Sequence, residues 1–494
     1  MRYRSPIRAG LSDGLATVEA CGEFPAMMIE TVMNGAITVD AGRVAVLDEK
    51  AVTGNEMDRL IRAAVFGDDD TRDNARWLIW EIAQTLGVIP SSIHELYMAR
   101  GRGETSGFTV PAINVRGMSY DTARSIFRTA RKLNAGAFIC EIARSEIAYT
   151  DQRPPEYVAV VLAAAMREGF RGPVFIQGDH FQVNAKKFAV DPETEVGAVK
   201  HLAREAVAAG FYNIDIDTST LVDLSKPTLD EQQRTNYEQA ADIAKFVREL
   251  QPEGIEVSLG GEIGEVGTQN STVEELHSYM DGFDRTLARI APNAAGLSKI
   301  SVQSGTTHGG VVLADGSIAD VQIDFETLRR LSIVARESYG LAGAVQHGAS
   351  TLPDEAFHNF PRSETAEIHL ATNFQSMLYD DLPNDLRDEI YAWLRENAKD
   401  ERKPADSDEQ FFYKTRKKAL GPFKQQFWDL DSGVKERLAA AYDSKFEFLF
   451  TQLAIRDTAP VVAKYIKPVA LHRPQPHEDV AVVAAAPDDA DLSD

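Results

Sequence analysis

The chain has 494 residues, of which 75 are acidic and 52 basic, and its formal charge at pH 7 is −23. Such a surface repels phosphate backbones, which argues against nucleic acid as a partner. No stretch approaches the roughly 20 apolar residues of a membrane span, and the N-terminus lacks the apolar run of a signal peptide. The two cysteines, Cys21 and Cys140, fit a reducing compartment. We therefore expect a cytoplasmic protein without nucleic-acid or membrane partners.

Residues 1–105 predict an N-terminal helical extension. Helical periodicity covers 55–65 and 71–86, and the Asp68-Asp69-Asp70 run between them is suited to capping a helix. The run Ile89-Pro90-Ser91-Ser92 is interpreted as the start of a further helix. Since this region contains no cluster of chemically active residues, we expect it to pack on the main domain or on another subunit.

From 107 to 372, eight short apolar runs alternate with stretches of helical periodicity. The predicted strands are 108–114, 137–141, 174–178, 213–217, 255–259, 297–303, 343–346 and 366–372. This alternation is typical of parallel βαβ units, and eight repeats favour a closed (β/α)8 TIM barrel over an open sheet. The turn after the first run, Asn114-Val-Arg-Gly-Met, has no dinucleotide-binding fingerprint.

The C-terminal part of the chain predicts extra helices and then a tail. Helical patterns cover 386–397 and 432–453, which we assign with the barrel to one domain, 106–455. Residues 456–494 are predicted to form a flexible tail, because several prolines and a run of Ala and Asp follow about residue 467.

Polar residues collect where the predicted strands end, which is where the active sites of barrels lie. Asp179 and His180 end the third strand, His308 follows the sixth, and His347 ends the seventh. Because a catalytic zinc commonly takes three protein ligands, the three histidines are predicted to converge on one metal ion. Further polar residues at or near strand ends are Asp217, Glu262, His369 and Thr372.

Two glycine-containing loops in this region suit a phosphate group. They contain Gly309-Gly310 and Gly348-Ala-Ser350. Glycine lets backbone N–H groups approach an anion closely, and the serine hydroxyl adds a donor. Glycines in loops are often no more than turn residues, so this signal is weak by itself.

The ordered set of motifs resembles the class II, metal-dependent fructose-bisphosphate aldolases and their tagatose-bisphosphate relatives, over about 107–455. The motifs are Val-Pro-Ala-Ile-Asn114, Gly-Asp179-His180, Ile-Asp217-Thr-Ser219, Gly-Glu262-Ile-Gly264, Thr-His308-Gly309, Gln-His347-Gly-Ala-Ser350 and Ile-His369-Leu-Ala-Thr372. Each motif is short, but seven of them in the right order at strand ends form a specific pattern.

The resemblance implies a role for each matching residue. His180, His308 and His347 would bind a catalytic Zn2+ or another divalent transition metal, and Asp179 would move the proton at the substrate hydroxyl. Asp217 and Glu262 match positions for a second metal or an alternative position of the first. The match to the phosphate site of dihydroxyacetone phosphate comprises Gly309, Gly348, Ser350 and Thr372, and a monovalent cation is common near these loops.

The implied reaction is the reversible cleavage of fructose 1,6-bisphosphate to dihydroxyacetone phosphate and glyceraldehyde 3-phosphate. The implied protein is a lyase of carbohydrate metabolism and a homo-oligomer, a dimer or larger. No Schiff-base lysine is expected, because a metal would act as the Lewis acid that stabilises the negative charge formed on cleavage.

Several positions depart from the family pattern. His369 stands where the family has Asn at the substrate, and Ala371 where it has Asp. The serine expected after the second strand is either replaced by Ala143 or displaced to Ser145. These departures leave two alternatives open: a metal-dependent epimerase or aldolase with a different sugar substrate, and a non-catalytic aldolase subunit. Asp179 and the three histidines argue against the second alternative.

Overall fold

The computed structural model describes residues 32–264, 269–305, 313 and 323–476. Its centre is a parallel sheet that closes on itself. The barrel strands, numbered one to eight from here on, are Val110–Asn114, Ile139–Ala143, Gly172–Gln182, Asn213–Asp217, Ser258–Glu262, Lys299–Val302, Ala344–Gln346 and Glu367–Leu370. Each strand pairs with the next in the chain, and strand eight returns to strand one. The predicted (β/α)8 barrel is therefore confirmed.

Helices cover the outside of the barrel and continue past it. Those between the strands are Ser119–Lys132, Pro154–Arg167, Pro192–Ala209, Leu229–Leu250, Val273–Ile290 and Phe325–Tyr339, with Arg144–Tyr149, Ala185–Val190 and Asn359–Arg362 as short additions. Those after strand eight are Thr372–Asp381, Asn384–Asn397, Asp408–Thr415, Lys424–Trp428, Ser432–Gln452 and Ala459–Tyr465. Among the described residues, no helix combines the length and apolar character that crossing a bilayer requires.

The N-terminal region contributes strands as well as helices. Ile37–Asp40 and Arg43–Val46 form an antiparallel hairpin, whose two turn residues both have positive φ, as a tight hairpin turn requires. The helices Glu49–Val52, Asn55–Phe66, Asp69–Leu86 and His94–Gly101 follow. The second and third of these pack on helix Pro154–Arg167, so the described part of the region shares the hydrophobic core of the barrel.

A ninth parallel strand corrects the prediction that 89–92 begin a helix. Val88–Ser91 pairs with the first half of strand three, and the helix starts only at His94. Ile89 precedes a proline, which disfavours the helical region and favours extended backbone. Strand three is long enough to pair with this extra strand through Phe175 and with strand four from Gln177 onward.

The prediction of a flexible tail was wrong for residues 456–476. Helix Ala459–Tyr465 packs on helix His94–Gly101, and the extended segment 466–476 then crosses helix Asp69–Leu86. Trp80 donates its indole N–H to the carbonyl of Leu471, and the backbone N–H of Arg473 donates to Glu81. We call residues 466–476 the C-terminal strap. Residues 477–494 lie outside the described part of the chain.

Removal of the C-terminal strap is expected to destabilise the fold. Glu81 is fully buried, and its carboxylate contacts His472 Nδ1 at 2.6 Å and accepts from the Arg473 N–H at 2.7 Å. A chain ending at residue 465 leaves this carboxylate without these partners, which costs about 1–3 kcal/mol. Urea denaturation followed by circular dichroism measures the loss. A chain ending at residue 476 is the control, and equal midpoints for the two truncations would contradict the assigned role.

Candidate active site and metal centre

A bulge in strand three places Asp179 and His180 on the same side of the sheet. Neighbouring residues of a regular strand point to opposite faces. Here the register with strand four shifts between Gly178 and Phe181, and His180 has a φ of 39°. Gly178 is needed at this point, because a Cβ atom would lie 2.4 Å from the ring of Phe181. Bulges of this kind often redirect side chains at active sites, and here both Asp179 and His180 line one cavity.

The cavity has a volume of about 620 Å³ and opens at the carboxyl ends of the barrel strands. Most of the predicted site residues that the structure describes line it, namely Asp179, His180, His347, Gly348, Ser350, His369 and Thr372. Three basic residues, Arg116, Lys414 and Lys417, also line it. The structure therefore brings together the residues that were chosen from separate strand ends.

His180, His347 and Glu262 form a group suited to a metal ion. Each offers one ligand atom, and these atoms all lie within 4.8 Å of one another. His180 Nδ1 lies 3.5 Å from Glu262 Oε2, and His347 Nε2 lies 4.0 Å from the same oxygen. Two imidazoles and a carboxylate are ligand types that Zn2+ and several other divalent transition metals accept. The residues present therefore fit a divalent ion.

Neighbouring side chains hold the two histidines in place. Asp217 contacts His180 Nδ1 at 2.9 Å and also accepts from Gln182 and Ser219. The hydroxyl of Ser301 lies 2.9 Å from His347 Nε2. A partner of this kind occupies one ring nitrogen and leaves the opposite one for a metal, so a metal ion would take the nitrogen of each ring that faces away from Asp217 and Ser301. In this structure Asp217 contacts His180, and its role at a second metal position stays a prediction.

His308 and Gly309, the remaining predicted metal ligand and phosphate-binding glycine, lie outside the described residues. The other predicted phosphate-binding residues do come together. Gly348 adopts a left-handed φ of 69°, Ser350 follows it in a 3-10 turn, and Thr372 is the first residue of helix Thr372–Asp381. Thr372 was predicted to lie on strand eight, but strand eight ends at Leu370. The new position puts it at a helix N-terminus, where free N–H groups favour an anion.

The barrel interior beneath the cavity contains buried charged residues, and the sequence analysis did not predict them. The buried residues are Glu141, Asp215, Lys299, Glu367 and His369. Lys299 Nζ lies 2.8 Å from Asp215 and also pairs with Glu367. This lysine already neutralises the group formed by Asp215, Glu367 and His369, so that group is a poor metal site. Polar or charged residues alternate with apolar ones along strands four, six and eight, and this pattern could have predicted a polar barrel interior.

His369 lies between carboxylates on both sides of its ring. Nδ1 is 3.0 Å from Glu141 and 3.1 Å from Asp179, and Nε2 is 2.8 Å from Glu367. Burial disfavours the charged imidazole, but Glu141 and Asp179 raise the pKa of His369 well above its ordinary value. Burial and the charge of Asp179 raise the pKa of Glu141 to about 8. Although burial acts in the opposite direction, Lys299 and His369 hold the pKa of Glu367 at about 2.

A family model and several solved structures match the chain. The model of the class II fructose-bisphosphate aldolase family matches residues 101–426. No curated protein matches the chain. The solved structures that resemble it include a putative fructose-1,6-bisphosphate aldolase from Coccidioides immitis, with 16% identity over 74% of this chain and 97% of that one, and a TM-score of 0.45.

Two further solved structures are similar at the same level. A fructose-bisphosphate aldolase from Campylobacter jejuni is 17% identical over 75% of this chain and 98% of that one, with a TM-score of 0.45. A probable tagatose 6 phosphate kinase from Sinorhizobium meliloti is 16% identical over 73% and 95%, with a TM-score of 0.49. Identities this low do not transfer a substrate. The match to the family model, which spans more than half of the sequence, shows that the chain belongs to the class II fructose-bisphosphate aldolase family.

Proposed function

We propose that this protein is a metal-dependent aldolase that cleaves fructose 1,6-bisphosphate to dihydroxyacetone phosphate and glyceraldehyde 3-phosphate. The observation that carries the proposal is the common cavity. Asp179 faces it beside His180 and His347, and Gly348, Ser350 and Thr372 form another part of its wall. A proton-transfer group, a metal-binding group and an anion-binding loop therefore lie within the reach of one sugar.

The proposed metal ligands are His180, His347 and Glu262, together with His308 by its match to the family motif. A divalent ion such as Zn2+, once bound there, supplies a Lewis acid for the negative charge that develops on the triose half of the substrate. Imidazole must be neutral to bind a metal. Although burial acts in the opposite direction, Asp179, Asp217 and Glu262 raise the pKa of His180 well above its ordinary value. Binding of the metal ion should therefore release the proton of His180.

The side chains of this protein have separate tasks in the cleavage. Asp179 accepts the proton of the hydroxyl at C4 while the bond between C3 and C4 breaks, and the aldehyde product leaves. The electron pair of that bond stays on the triose phosphate half, which takes up a proton at C3 from water to give dihydroxyacetone phosphate. The N-terminus of helix Thr372–Asp381 and the Gly348 loop hold the phosphate at C1. Asp217 and Ser301 keep the two imidazoles in their orientations.

Three basic residues of the cavity wall offer a place for the second phosphate. Arg116 is paired with Glu146, and Lys414 with Asp406. Lys417 lies 5.5 Å from the ring of Tyr149, and within the described part of the chain no carboxylate forms a salt bridge with it. A lysine without a counter-ion at the cavity wall supports a substrate that carries negative charge at both ends, in a protein whose overall charge would repel one.

A direct assay tests the substrate. Purified protein with zinc should release dihydroxyacetone phosphate from fructose 1,6-bisphosphate, which a coupled NADH assay detects. Fructose 1-phosphate should be cleaved with a higher KM, because it lacks the group that Lys417 would bind. Protein that holds zinc but releases no triose phosphate from fructose or tagatose bisphosphate would contradict the proposed reaction. It would favour the second candidate, a related metal-dependent sugar-phosphate enzyme, which the histidine at 369 supports.

His347→Ala is expected to lose the metal and with it the activity. His347 is buried beside Glu262 and is held by Ser301, so no other side chain can take its place without rearrangement. Metal analysis after dialysis should give about one divalent ion per wild-type chain and well under half of that for the variant. His277→Ala, on the outer helix Val273–Ile290, is the matched control. Unchanged metal content in His347→Ala would refute its assignment as a ligand.

A further inference from the structure

Both ring nitrogens of His369 lie close to carboxylates of the protein. His369 is 5% exposed, and its two nitrogens face Glu141 and Asp179 on one side and Glu367 on the other. Its ring also packs on that of His347, with centroids 4.1 Å apart. A residue at this position was expected to bind substrate. His369 lines the cavity, and in this structure both of its nitrogens lie within ion-pair distance of carboxylates.

Glu367, which contacts His369 Nε2, is itself held by several buried side chains. Glu367 accepts from the Tyr97 hydroxyl and from Gln177, and it pairs with Lys299. The order Lys299, Glu367, His369, Asp179 therefore alternates cationic or donor groups with carboxylates, from the barrel interior to the cavity. Glu367, whose hydrogen bonds to Tyr97, Gln177 and Lys299 are all formed, has little freedom to move. The ring nitrogens of His369 contact their carboxylates at ion-pair distance, without the alignment of a hydrogen bond.

We propose that His369 is a positioning residue that fixes the carboxylate of Asp179 through the ion-pair contact between its Nδ1 and an Asp179 oxygen, 3.1 Å apart. Nδ1 also lies 3.0 Å from Glu141, so the imidazole contacts two carboxylates, one of which, Asp179, lines the cavity. The inference rests on the proposed function, in which Asp179 moves the substrate proton. It predicts that a change at His369 alters the rate of the chemical step and leaves substrate binding unchanged.

Two substitutions of similar volume test the role. His369→Gln keeps an N–H donor, whereas His369→Leu removes it. The leucine variant is expected to lose about 10²-fold in kcat, with KM and zinc content unchanged, because a small misplacement of a reacting group has an effect of this size. The glutamine variant should recover about tenfold of that loss. Equal kcat values for the two variants, or an effect confined to KM, would overturn the positioning role.

A measurement without activity tests the contact itself. In metal-free protein labelled with 15N in its histidine rings, the Nδ1 proton of His369 should resonate downfield and should be absent in His369→Gln. Asp179→Asn should move this signal. An unchanged position in Asp179→Asn would refute the contact. If the substitutions at 369 prevent folding, this spectrum decides the question, since it needs only the wild type and Asp179→Asn.

The outcomes also separate this inference from the proposed function. A wild-type protein that cleaves no ketose bisphosphate would refute the function, whatever the spectrum shows. A wild-type protein that cleaves the substrate, combined with full kcat in His369→Leu, would refute the positioning role alone.

Discussion

Asp179→Asn is expected to reduce turnover by a factor on the order of 10² or more, the usual contribution of a positioned acid or base. Asp179 is 6% exposed and faces the cavity next to His180, with one carboxylate oxygen 3.1 Å from His369 Nδ1. The asparagine has the same shape but cannot accept the substrate proton. Asp179 is not part of the group to which we assign the metal, His180, Glu262 and His347, so zinc content should be unchanged, whereas a metal held by the alternative group of Asp179, His347 and His369 would be lost.

The measurement is kcat under saturating substrate, alongside metal analysis and circular dichroism. Asp223→Asn is the matched control, since Asp223 is exposed and its carboxylate caps a turn in the loop after strand four. This control should keep full activity. Wild-type turnover in Asp179→Asn would remove Asp179 from the mechanism, whereas loss of zinc in that variant would make it a metal ligand.

The barrel was predictable from the sequence because its strands are short and apolar and are separated by clear helical periodicity. Asn213–Asp217 was placed at its observed bounds. The extra strand Val88–Ser91 was missed, since a short apolar run followed by Ser-Ser also suits a helix start. It forms only because strand three presents an edge to it, and this long-range pairing has no local signal.

The site was predictable in its residue types and less so in its geometry. His180 and His347 could be chosen from the sequence because a parallel barrel brings the carboxyl ends of all its strands to one face. The sequence did not show that Asp217 contacts His180, or that His369 contacts Asp179. Such details depend on side-chain directions, which the bulge at strand three alters and which a pattern of residue types does not encode.

The charged interior explains why strand eight departs from the family. Lys299 needs carboxylates, and Glu367, two residues before His369 on the same face of strand eight, supplies one. The Nε2 atom of His369 lies 2.8 Å from the carboxylate of the same Glu367. The departure at 369 is thus part of a set of residues that compensate each other. Local rules of barrel packing are broken beneath the functional site, where such exceptions are expected.

Lys299→Met is expected to destabilise the protein by about 3–5 kcal/mol, the usual cost of removing one partner from a buried ion pair. Lys299 is 1% exposed, and it pairs with Asp215 and Glu367 and donates to Gln177 at 2.8 Å. Glycine at 260 leaves the room that this arrangement needs, because a Cβ there would lie 2.9 Å from the lysine side chain. Methionine fills the space but leaves both carboxylates without their cation.

Urea denaturation of wild type and variant gives the difference in the free energy of unfolding, and it should depend on pH. The pKa of Glu367 falls from 4.5 to about 2 in the folded protein. A lowered carboxyl pKa contributes stability above its ordinary value, and this contribution is lost as pH falls through the folded value. The difference between wild type and Lys299→Met should therefore be full at pH 7 and shrink below about pH 4. Lys200→Met, which breaks a pair with Asp242 at the surface, should stay within about 0.5 kcal/mol at either pH. A Lys299→Met protein as stable as this control at pH 7 would show that the two carboxylates do not need the lysine charge.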